Sequence, residues 1–294
     1  MKDILTIILR LTVTCILAAT VMGSAFIITN KAKKHNEHVN EQKVRYSLLG
    51  YSAARPIPAS MALHEMYRYI VTDKDSQAIG YLLPGKEGFF FLTLDMEGKV
   101  IDNKPVNIEE SAVLEKDTRD KAVQELAGAG KNVTFADQTI VVTDNGQRMA
   151  YLLDGKFTGF KTFIGVMLAL DPKFTILGLE ILEHEEDPGL GAEIEQDYFK
   201  NQFKGKTFDR LKDLDVVKEP MPDAYFQALE GNIAAADAAK ILAQYGDRDI
   251  YALTGATISS RSVNTGVKGM IKKFAYRLNI LDAALAERKI EVAF

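Results

Sequence analysis

Hydrophobic residues are most concentrated near the start of the chain, where Leu11 to Thr29 form a run of 19 residues without a charge. Ile4 to Leu9 extend this run across Arg10, whose long side chain can reach toward the membrane surface. At about 1.5 Å per residue, a helix of 19 residues spans roughly 28 Å, close to a hydrocarbon core of about 30 Å. The pattern predicts one transmembrane helix over about residues 4–29, inside an anchor of residues 1–35.

The small residues Gly23, Ser24 and Ala25 are also compatible with a signal peptide that is cleaved. The apolar run is longer than a typical signal core and continues beyond these residues, which favours an uncleaved anchor. The lysines that follow the run would place the rest of the chain in the cytoplasm by the positive-inside rule. This charge bias is small, and long domains are translocated in spite of it.

Residues 36–150 are expected to form a stalk followed by an α+β extension. Met61 to Tyr67 predicts a short helix, and Glu109 to Ala129 predicts a longer one. Thr139 to Thr143 has the composition of a strand, and it is followed by the hairpin signal Asp144-Asn145-Gly146. No motif in this region indicates a function.

One short sequence recurs along the chain, first as Tyr81 to Lys86 and again as Tyr151 to Lys156. Each copy is followed by Gly-Phe and then by an apolar run. Two explanations remain open at this point. The copies are either a decayed duplication of a hairpin unit or the shared turn chemistry of two unrelated hairpins.

The clearest pattern lies in residues 151–280. Phe163 to Leu170 and Thr175 to Glu183 are predicted as neighbouring strands, and Asp223 to Tyr245 as one Ala-rich helix. Residues 281–294 are expected to be a C-terminal tail. The fold expected for the whole chain is α+β, with an antiparallel sheet and packed helices behind one N-terminal transmembrane helix.

Composition excludes several kinds of function. The net charge is −4 without a long basic run, which argues against nucleic acid as a partner. One cysteine and four histidines exclude a disulfide framework, an iron–sulfur cluster and a Cys-rich zinc site within this chain. No nucleophile–base pair and no metal-ligand spacing stands out, so we expect neither catalytic residues nor a metal. Redox chemistry would require an organic cofactor or a partner.

Eight residues, Leu253 to Ser260, combine four hydroxyl side chains with one glycine. They precede a helical pattern in which Val263, Val267 and Ile271 recur at helical spacing. Hydroxyls and free N–H groups at a helix N-terminus favour an anion site. The alternative is ordinary capping of the helix by Ser259 or Ser260.

A second distinctive loop spans His184 to Gly191. Pro188 fixes its own φ, while Gly189 and Gly191 open conformations that other residues avoid. Such a loop is suited to hold a rigid shape against a flat ligand, with Leu190 as an apolar contact. The alternative is a plain tight loop with acidic residues at the surface.

Together these two motifs resemble a known family. The pair Glu186-Asp187-Pro188-Gly189-Leu190-Gly191 and Thr254-Gly255-Ala256-Thr257, with Pro188 and Thr254 lying 66 residues apart, is similar to the FMN-binding domain that carries covalent flavin. That domain occurs in the G subunit of the Rnf complex and in the C subunit of the sodium-pumping NADH:quinone reductase. Those subunits also begin with one membrane helix. The resemblance covers about residues 151–280 and the anchor.

The resemblance implies a cofactor and its contacts. The hydroxyl of Thr257 would be joined to the phosphate of FMN as a phosphoester by a flavin transferase. The other implied contacts are, at the phosphate end, Thr254, Gly255, Ala256 and Ser259, and near the isoalloxazine ring, His184, Glu186, Asp187, Pro188, Gly189, Leu190 and Gly191.

The resemblance also implies a function and a location. The chain would carry electrons within an ion-translocating ferredoxin:NAD oxidoreductase of the Rnf type, beside other membrane and iron–sulfur subunits, without being catalytic alone. Its main domain would lie outside the cytoplasm, held by a single span in the bacterial inner membrane. The general look of Thr257 to Val263 favours the Rnf type over the quinone-reductase type, which remains the alternative. A third interpretation, from another class, is an assembly or binding subunit that carries no flavin.

Two residues depart from the family motif. The family usually has an aspartate three residues before the first Thr or Ser of its flavin motif, and this chain has Tyr251 there, with Asp249 two residues earlier. This change puts efficient flavin attachment in doubt. Asp187 replaces the family's threonine, so an acceptor replaces a hydroxyl donor, and we expect a lower flavin reduction potential.

Overall fold

The computed structural model describes residues 2–74, 76–128 and 130–294 and divides into two compact units, one ending at Ser47 and one beginning at Leu48. The first unit is helix α1, Lys2–Leu48, whose last residue already belongs to the second unit. Its stretch Thr6–Ser24 is long and apolar enough to cross a membrane, with a mean hydropathy of 1.9. The hydroxyls of Thr20 and Ser24 donate to carbonyls one turn earlier, at 2.8 and 2.7 Å. Polar groups in this stretch are thus satisfied within the helix, as an apolar environment requires. The expected stalk is the continuation of α1.

The second unit is built around one antiparallel sheet of eight strands. Their order across the sheet is β4-β3-β2-β1-β5-β6-β7-β8. Two meanders of four strands therefore meet where the first strand of each lies beside the other. The strands are β1 Met61–Asp73, β2 Ser76–Gly85, β3 Gly88–Leu94, β4 Val100–Val106, β5 Lys131–Asp144, β6 Gln147–Thr158, β7 Phe163–Leu170 and β8 Ile176–Glu183.

The recurring sequence occupies equivalent places in the two meanders. Tyr81 lies on β2 opposite Leu92, and Tyr151 lies on β6 opposite Leu170. Both tyrosines are buried in the same hydrophobic cluster. This arrangement favours the duplication over a coincidence of turn chemistry.

The helices of the second unit are mostly short, apart from the last. They are α2 Glu110–Val113, α3 Lys116–Ala127, α4 Asp197–Lys200, α5 Asp223–Leu229, α6 Ala235–Tyr245 and α7 Thr257–Arg288. A small parallel pair of strands, β9 Val216–Val217 and β10 Ile250–Tyr251, lies between them in the chain.

The sheet buries both of its faces. On one face α7 supplies Val263, Val267 and Ile271 to the largest core cluster, all with no exposed surface. On the other face α3 contributes Val123 to a cluster with Tyr67 and Tyr69 of β1. The expected α+β class, an antiparallel sheet with packed helices and an apolar N-terminal helix, is confirmed.

Three expectations about individual elements are wrong. Met61 to Tyr67 is the start of β1 and pairs with β5 along its whole length, so tertiary pairing overrides its helical composition. Asp223 to Tyr245 forms two helices, because the chain turns at Gly231 with a φ of +72°. The predicted helix from Glu109 is α2 and α3, and its expected end at Ala129 lies outside the described residues.

The domain boundaries also differ from those expected. The division between residues 150 and 151 falls inside β6, so the α+β extension and the following region share one sheet. The expected tail after residue 280 is largely helical, since α7 continues to Arg288. Leu281 and Leu285 are buried, and Phe294 packs against the main core.

Candidate functional site

Two buried side chains, Gln202 and Lys206, hydrogen-bond to the backbone of the segment that precedes the hydroxyl-rich stretch. Gln202 accepts a hydrogen bond from the amide of Tyr251 at 2.7 Å and donates to its carbonyl at 3.3 Å. The ammonium of Lys206 donates to the carbonyls of Gly246, at 2.7 Å, and Arg248. Burial lowers the pKa of Lys206 to about 8. These contacts fix the path of the chain just before residue 254.

Helix α7 begins at Thr257 with Ala256 as its N-cap, and no side chain caps it. The first amide to donate within the helix is that of Ser260, to the carbonyl of Ala256 at 3.1 Å. The amides of Thr257, Ile258 and Ser259 therefore have no acceptor among the described residues. Capping by Ser259 or Ser260, the alternative left open by the sequence, is not what the structure shows. A half-buried threonine hydroxyl instead stands beside open helix N–H groups.

The hydroxyl of Ser260 keeps the stretch bent back on the helix. It accepts from the amide of Leu253 at 3.0 Å and donates to the carbonyl of Ala256 at 3.0 Å. Gly255 has a φ of +76°, which a residue with a side chain rarely adopts. Thr254 and Gly255 are exposed, whereas Ala256 is buried.

The loop after β8 forms a compact turn of its own. The carbonyl of Asp187 accepts from the amides of Leu190 at 3.1 Å and Ala192 at 3.0 Å, and Gly189 supplies a φ of +72°. His184 accepts from the amide of Glu186 through Nδ1 at 3.1 Å, and its Nε2 lies 2.7 Å from Glu195. Since Nδ1 accepts, the proton belongs on Nε2.

Glu186 is buried and joins three segments of the chain. Its Oε1 accepts from the amide of Phe160 at 2.7 Å and of Lys161 at 3.3 Å. Its Oε2 accepts from the hydroxyl of Ser259, which is buried in the first turn of α7. The carboxylate thereby ties the loop before β7, the loop after β8 and the start of α7 to one point.

Two glycines allow the two motifs to touch. A Cβ on Gly191 would lie 2.6 Å from Oε2 of Glu186 and 2.8 Å from the hydroxyl of Ser259. A Cβ on Gly255 would lie 2.9 Å from a methyl of Leu190. Any larger residue at either position would force these groups apart. The structure thus brings the two sequence motifs together, although they lie far apart along the chain.

Large apolar side chains are exposed on the segments that Glu186 joins. Phe160 is 56%, Leu190 46% and Ile258 58% exposed. Each belongs to one of the three segments that Glu186 ties together. Exposed apolar groups gathered beside an anion site suit a ligand with a charged end and a flat aromatic end.

An ion pair lies at the edge of this region. The ammonium of Lys161 lies 2.5 Å from Asp187, and this hydrogen bond raises the pKa of Lys161. This ion pair joins the loop before β7 to the loop after β8.

Tyr251, which stands where the family usually has an aspartate, and the nearby Asp249 both make structural contacts. Tyr251 is buried next to Tyr225, with ring centroids 6.0 Å apart. Asp249 accepts from Arg210 at 2.6 Å and from the amide of Asp215 at 2.9 Å. Burial opposes ionisation of Asp249, but these two donors outweigh it and lower its pKa. Asp249 is committed to a structural role.

Sequence reasoning missed four contributors to this region: Gly159, Phe160, Lys161 and Arg261. The first three follow β6 directly, and only the topology places them against Glu186. A Cβ on Gly159 would lie 2.5 Å from Oε1 of Glu186. Within the part of the chain that the structure describes, no group of His, Cys, Asp and Glu side chains is arranged to hold a metal.

The chain is similar to known proteins over the region that contains both loops. Residues 159–272 match the FMN-binding domain family model. The chain is 26% identical over 169 residues to the G subunit of the proton-translocating ferredoxin:NAD(+) oxidoreductase complex of Clostridium ljungdahlii, covering 58% of this chain and 76% of the relative. It is 31% identical over 124 residues to the G subunit of the ion-translocating oxidoreductase complex of Haemophilus influenzae, covering 37% and 54%.

The chain is also similar to a subunit of an NADH-quinone reductase. The chain is 28% identical over 118 residues to the C subunit of the Na(+)-translocating NADH-quinone reductase of Yersinia pestis, covering 38% of this chain and 44% of the relative. The match with these last two relatives spans about half of their length. The crystal structure of Shewanella oneidensis NqrC is similar at 18% identity with a TM-score of 0.39, covering 72% of this chain and 79% of that one.

Proposed function

We propose that the chain carries electrons in a membrane-bound ferredoxin:NAD oxidoreductase of the Rnf type. The premise is that it carries an FMN-binding domain and fits the family of Rnf G subunits and NADH:quinone reductase C subunits. Bound FMN supplies one- and two-electron chemistry that no side chain provides. The chain itself binds and orients the cofactor. Catalysis of the overall reaction belongs to the assembly.

One observation carries the proposal: the two distant motifs meet at the open N-terminus of α7. Gly191 lies against Ser259, Leu190 lies against Gly255, and Glu186 accepts from Ser259. The residues present fit an FMN at this place. A phosphate would find free amides and the positive end of a 32-residue helix.

We place the covalent linkage on Thr257. Its side chain is half-buried at the first residue of α7, where its hydroxyl adjoins the unpaired amides of the first turn. Arg261 follows one turn later, on the same side of the helix, and its side chain makes no hydrogen bond or ion pair with the described residues. Its guanidinium is available to balance the negative charge of a phosphodiester.

The flavin ring would rest on the exposed apolar side chains Phe160, Leu190 and Ile258. Pro188 and Gly189 shape the turn that presents Leu190, and His184 with Glu195 holds the base of that turn. Because these apolar groups are exposed, the ring edge would stay accessible to a partner. Accessibility is what an electron carrier between two partners needs.

The Rnf assignment is favoured by the extent of similarity. The match to the Clostridium ljungdahlii relative spans 58% of this chain, against 38% for the Yersinia pestis relative. We therefore expect membrane and iron–sulfur subunits as partners and a flavin transferase for maturation. The unit beyond Ser47 is placed outside the cytoplasm, with the apolar helix as a single span.

A non-flavinylated assembly subunit is the second candidate, because Tyr251 is buried and Asp249 is held by Arg210. Asp249 is therefore not free to replace the family aspartate. Flavin content separates the two candidates.

The proposal is tested in membrane vesicles of the native host that carry wild type, Thr257→Ala or the matched control Thr118→Ala, the same change at an exposed threonine of α3. We expect ferredoxin-dependent reduction of NAD in wild type and control, and its loss in Thr257→Ala. NADH-dependent quinone reduction that needs Thr257, without ferredoxin activity, would assign the chain to the other complex. Unchanged electron transfer in Thr257→Ala would refute a carrier role for this residue.

A further inference from the structure

A groove of about 830 Å³ runs along α7, beside the apolar cluster around Thr257. Its walls are α7 on one side and strands β1, β2, β5 and β6 on the other. The volume lies within the range of about 300–1,000 Å³ found for ligand-binding pockets. Its floor is apolar, formed chiefly by Met66, Tyr81, Leu153, Phe157, Met270 and Phe274.

The groove is lined mainly by positive charges, although the chain as a whole is negative. Residues 257–281 of α7 contain five cationic residues and no acidic residue, although the net charge of the chain is −4. Five cationic side chains line the groove against two carboxylates, Asp137 and Asp154. An apolar floor with a basic rim selects an acidic, partly apolar occupant.

The carboxylate of Asp137 does not cancel the basic rim, because two arginines share it. Arg68 lies 2.5 Å and Arg277 2.6 Å from its Oδ2. Burial raises the pKa of Asp137, but the hydrogen bonds and charges of both arginines outweigh this and lower it. The cluster is positive overall.

One further cationic side chain on the rim, that of Lys273, makes no hydrogen bond or ion pair with the described residues. It is exposed, so it is available to pair with an acidic group of a partner. At about 1.5 Å per residue, the lining from Ile258 to Leu281 extends roughly 35 Å along α7. This length suits a polypeptide segment better than a compact ligand.

We propose that the groove along α7 binds an acidic, apolar-containing segment of a partner subunit of the redox complex. The proposal rests on the proposed function, since the groove begins at Ile258, the residue that follows Thr257. Docking there holds the partner beside the place where the flavin would be attached. The basic face of α7 then selects the partner and sets the distance over which electrons move.

The test uses the full chain within its complex, purified from the native host. A photo-reactive benzoylphenylalanine replaces Thr265, an exposed groove residue outside the flavin site, and in a control it replaces Tyr276, exposed on α7 but away from the groove. Cross-linked peptides are identified by mass spectrometry. We expect position 265 to cross-link to one acidic peptide of a partner subunit and position 276 not to do so.

Charge reversal gives an independent readout. Lys273→Glu is compared with Lys272→Glu, the same change one residue away on an exposed side chain that does not line the groove. We expect a several-fold loss of cross-linking and greater salt sensitivity of the complex for Lys273→Glu only. Both chains should keep their native circular dichroism.

Several outcomes would overturn the docking proposal. They are a cross-link to lipid or to a basic peptide, equal cross-linking at positions 265 and 276, no cross-link in an intact complex, or equal effects of the two lysine variants. Flavin fluorescence of each denatured chain is recorded in the same samples. Flavin without the cross-link refutes docking alone, and the cross-link without flavin refutes the carrier function alone.

Discussion

The contact between Glu186 and Ser259 is predicted to be the main link between the two halves of the site. Glu186 is 5% exposed and Ser259 is 2% exposed, so neither group can exchange its partner for bulk water. A hydrogen bond to a charged group contributes about 1.5–3 kcal/mol net, and leaving a buried partner unsatisfied costs a similar amount. We expect Glu186→Gln and Ser259→Ala each to lower the free energy of unfolding by about 2 kcal/mol.

A double-mutant cycle separates the link from the two single effects. Because both substitutions remove the same contact, the double variant should be more stable than the sum of the single effects predicts, by about 1.5 kcal/mol. For a unit of this size, about 2 kcal/mol corresponds to a shift in Tm of roughly 4–8 °C. The assay is thermal and chemical unfolding followed by circular dichroism, on detergent-solubilised chain made without the flavin transferase.

The matched control is Glu185→Gln, the same chemical change on the neighbouring exposed carboxylate. Its effect should stay within about 0.5 kcal/mol, as for other exposed positions. Additive single effects, within about 0.5 kcal/mol, would refute the reasoning that this contact links the two motifs.

Three further predictions concern the same region. Gly255→Ala should cost about 1–2 kcal/mol and reduce flavin content, because its φ is +76° and a Cβ would lie 2.9 Å from Leu190; calorimetry and flavin absorbance measure both. As pH rises from about 8 toward 10.5, the unfolding free energy of wild type should rise relative to that of Lys206→Met. The reason is that Lys206 binds fewer protons in the folded state than in the unfolded state over this range. Urea titrations across the same pH range measure the difference. Asp187→Thr should raise the flavin reduction potential, measured by potentiometric titration beside the control Asp197→Asn.

One result would contradict each of these three predictions. A Gly255→Ala chain with wild-type stability would show that the motif relaxes without strain. A constant stability difference for Lys206→Met would mean that the pKa of Lys206 is not lowered. An unchanged potential for Asp187→Thr would indicate that Lys161 already compensates the carboxylate.

Local patterns were sufficient for the elements whose burial follows from their own spacing. Val263, Val267 and Ile271 are buried on one side of α7, as their helical spacing predicts. Apolar runs likewise predicted β7 and β8. These segments agree with the structure because their local pattern and their tertiary surroundings favour the same conformation.

The errors arose where tertiary contacts decide the conformation. Met61 to Tyr67 is rich in residues that favour a helix, yet it forms a strand because it pairs with β5 along its whole length. No local signal reveals that the two meanders join there. The pairing with β5 supplies hydrogen bonds along the segment, and these outweigh its propensity.

The candidate site was predictable as two motifs but not as one arrangement. The residue types of both loops are visible in the sequence, whereas the contact of Glu186 with Ser259 spans 73 residues. The inward direction of Glu186 also has no local signal, because the neighbouring Glu185 is exposed. The basic side of α7 is readable in the sequence, but the groove beside it exists only when the sheet is folded.

The central claim is that Thr257 carries covalent flavin, and a denaturing gel viewed under ultraviolet light tests it most directly. Wild type, Thr257→Ala and the control Thr118→Ala are purified from membranes of the native host, and their peptides are then weighed by mass spectrometry. We predict fluorescence in wild type and Thr118→Ala, its loss in Thr257→Ala, and the mass of FMN joined through phosphate on the peptide that contains Thr257. A wild-type band without fluorescence in a host that has the transferase, or fluorescence that persists in Thr257→Ala, would contradict the claim.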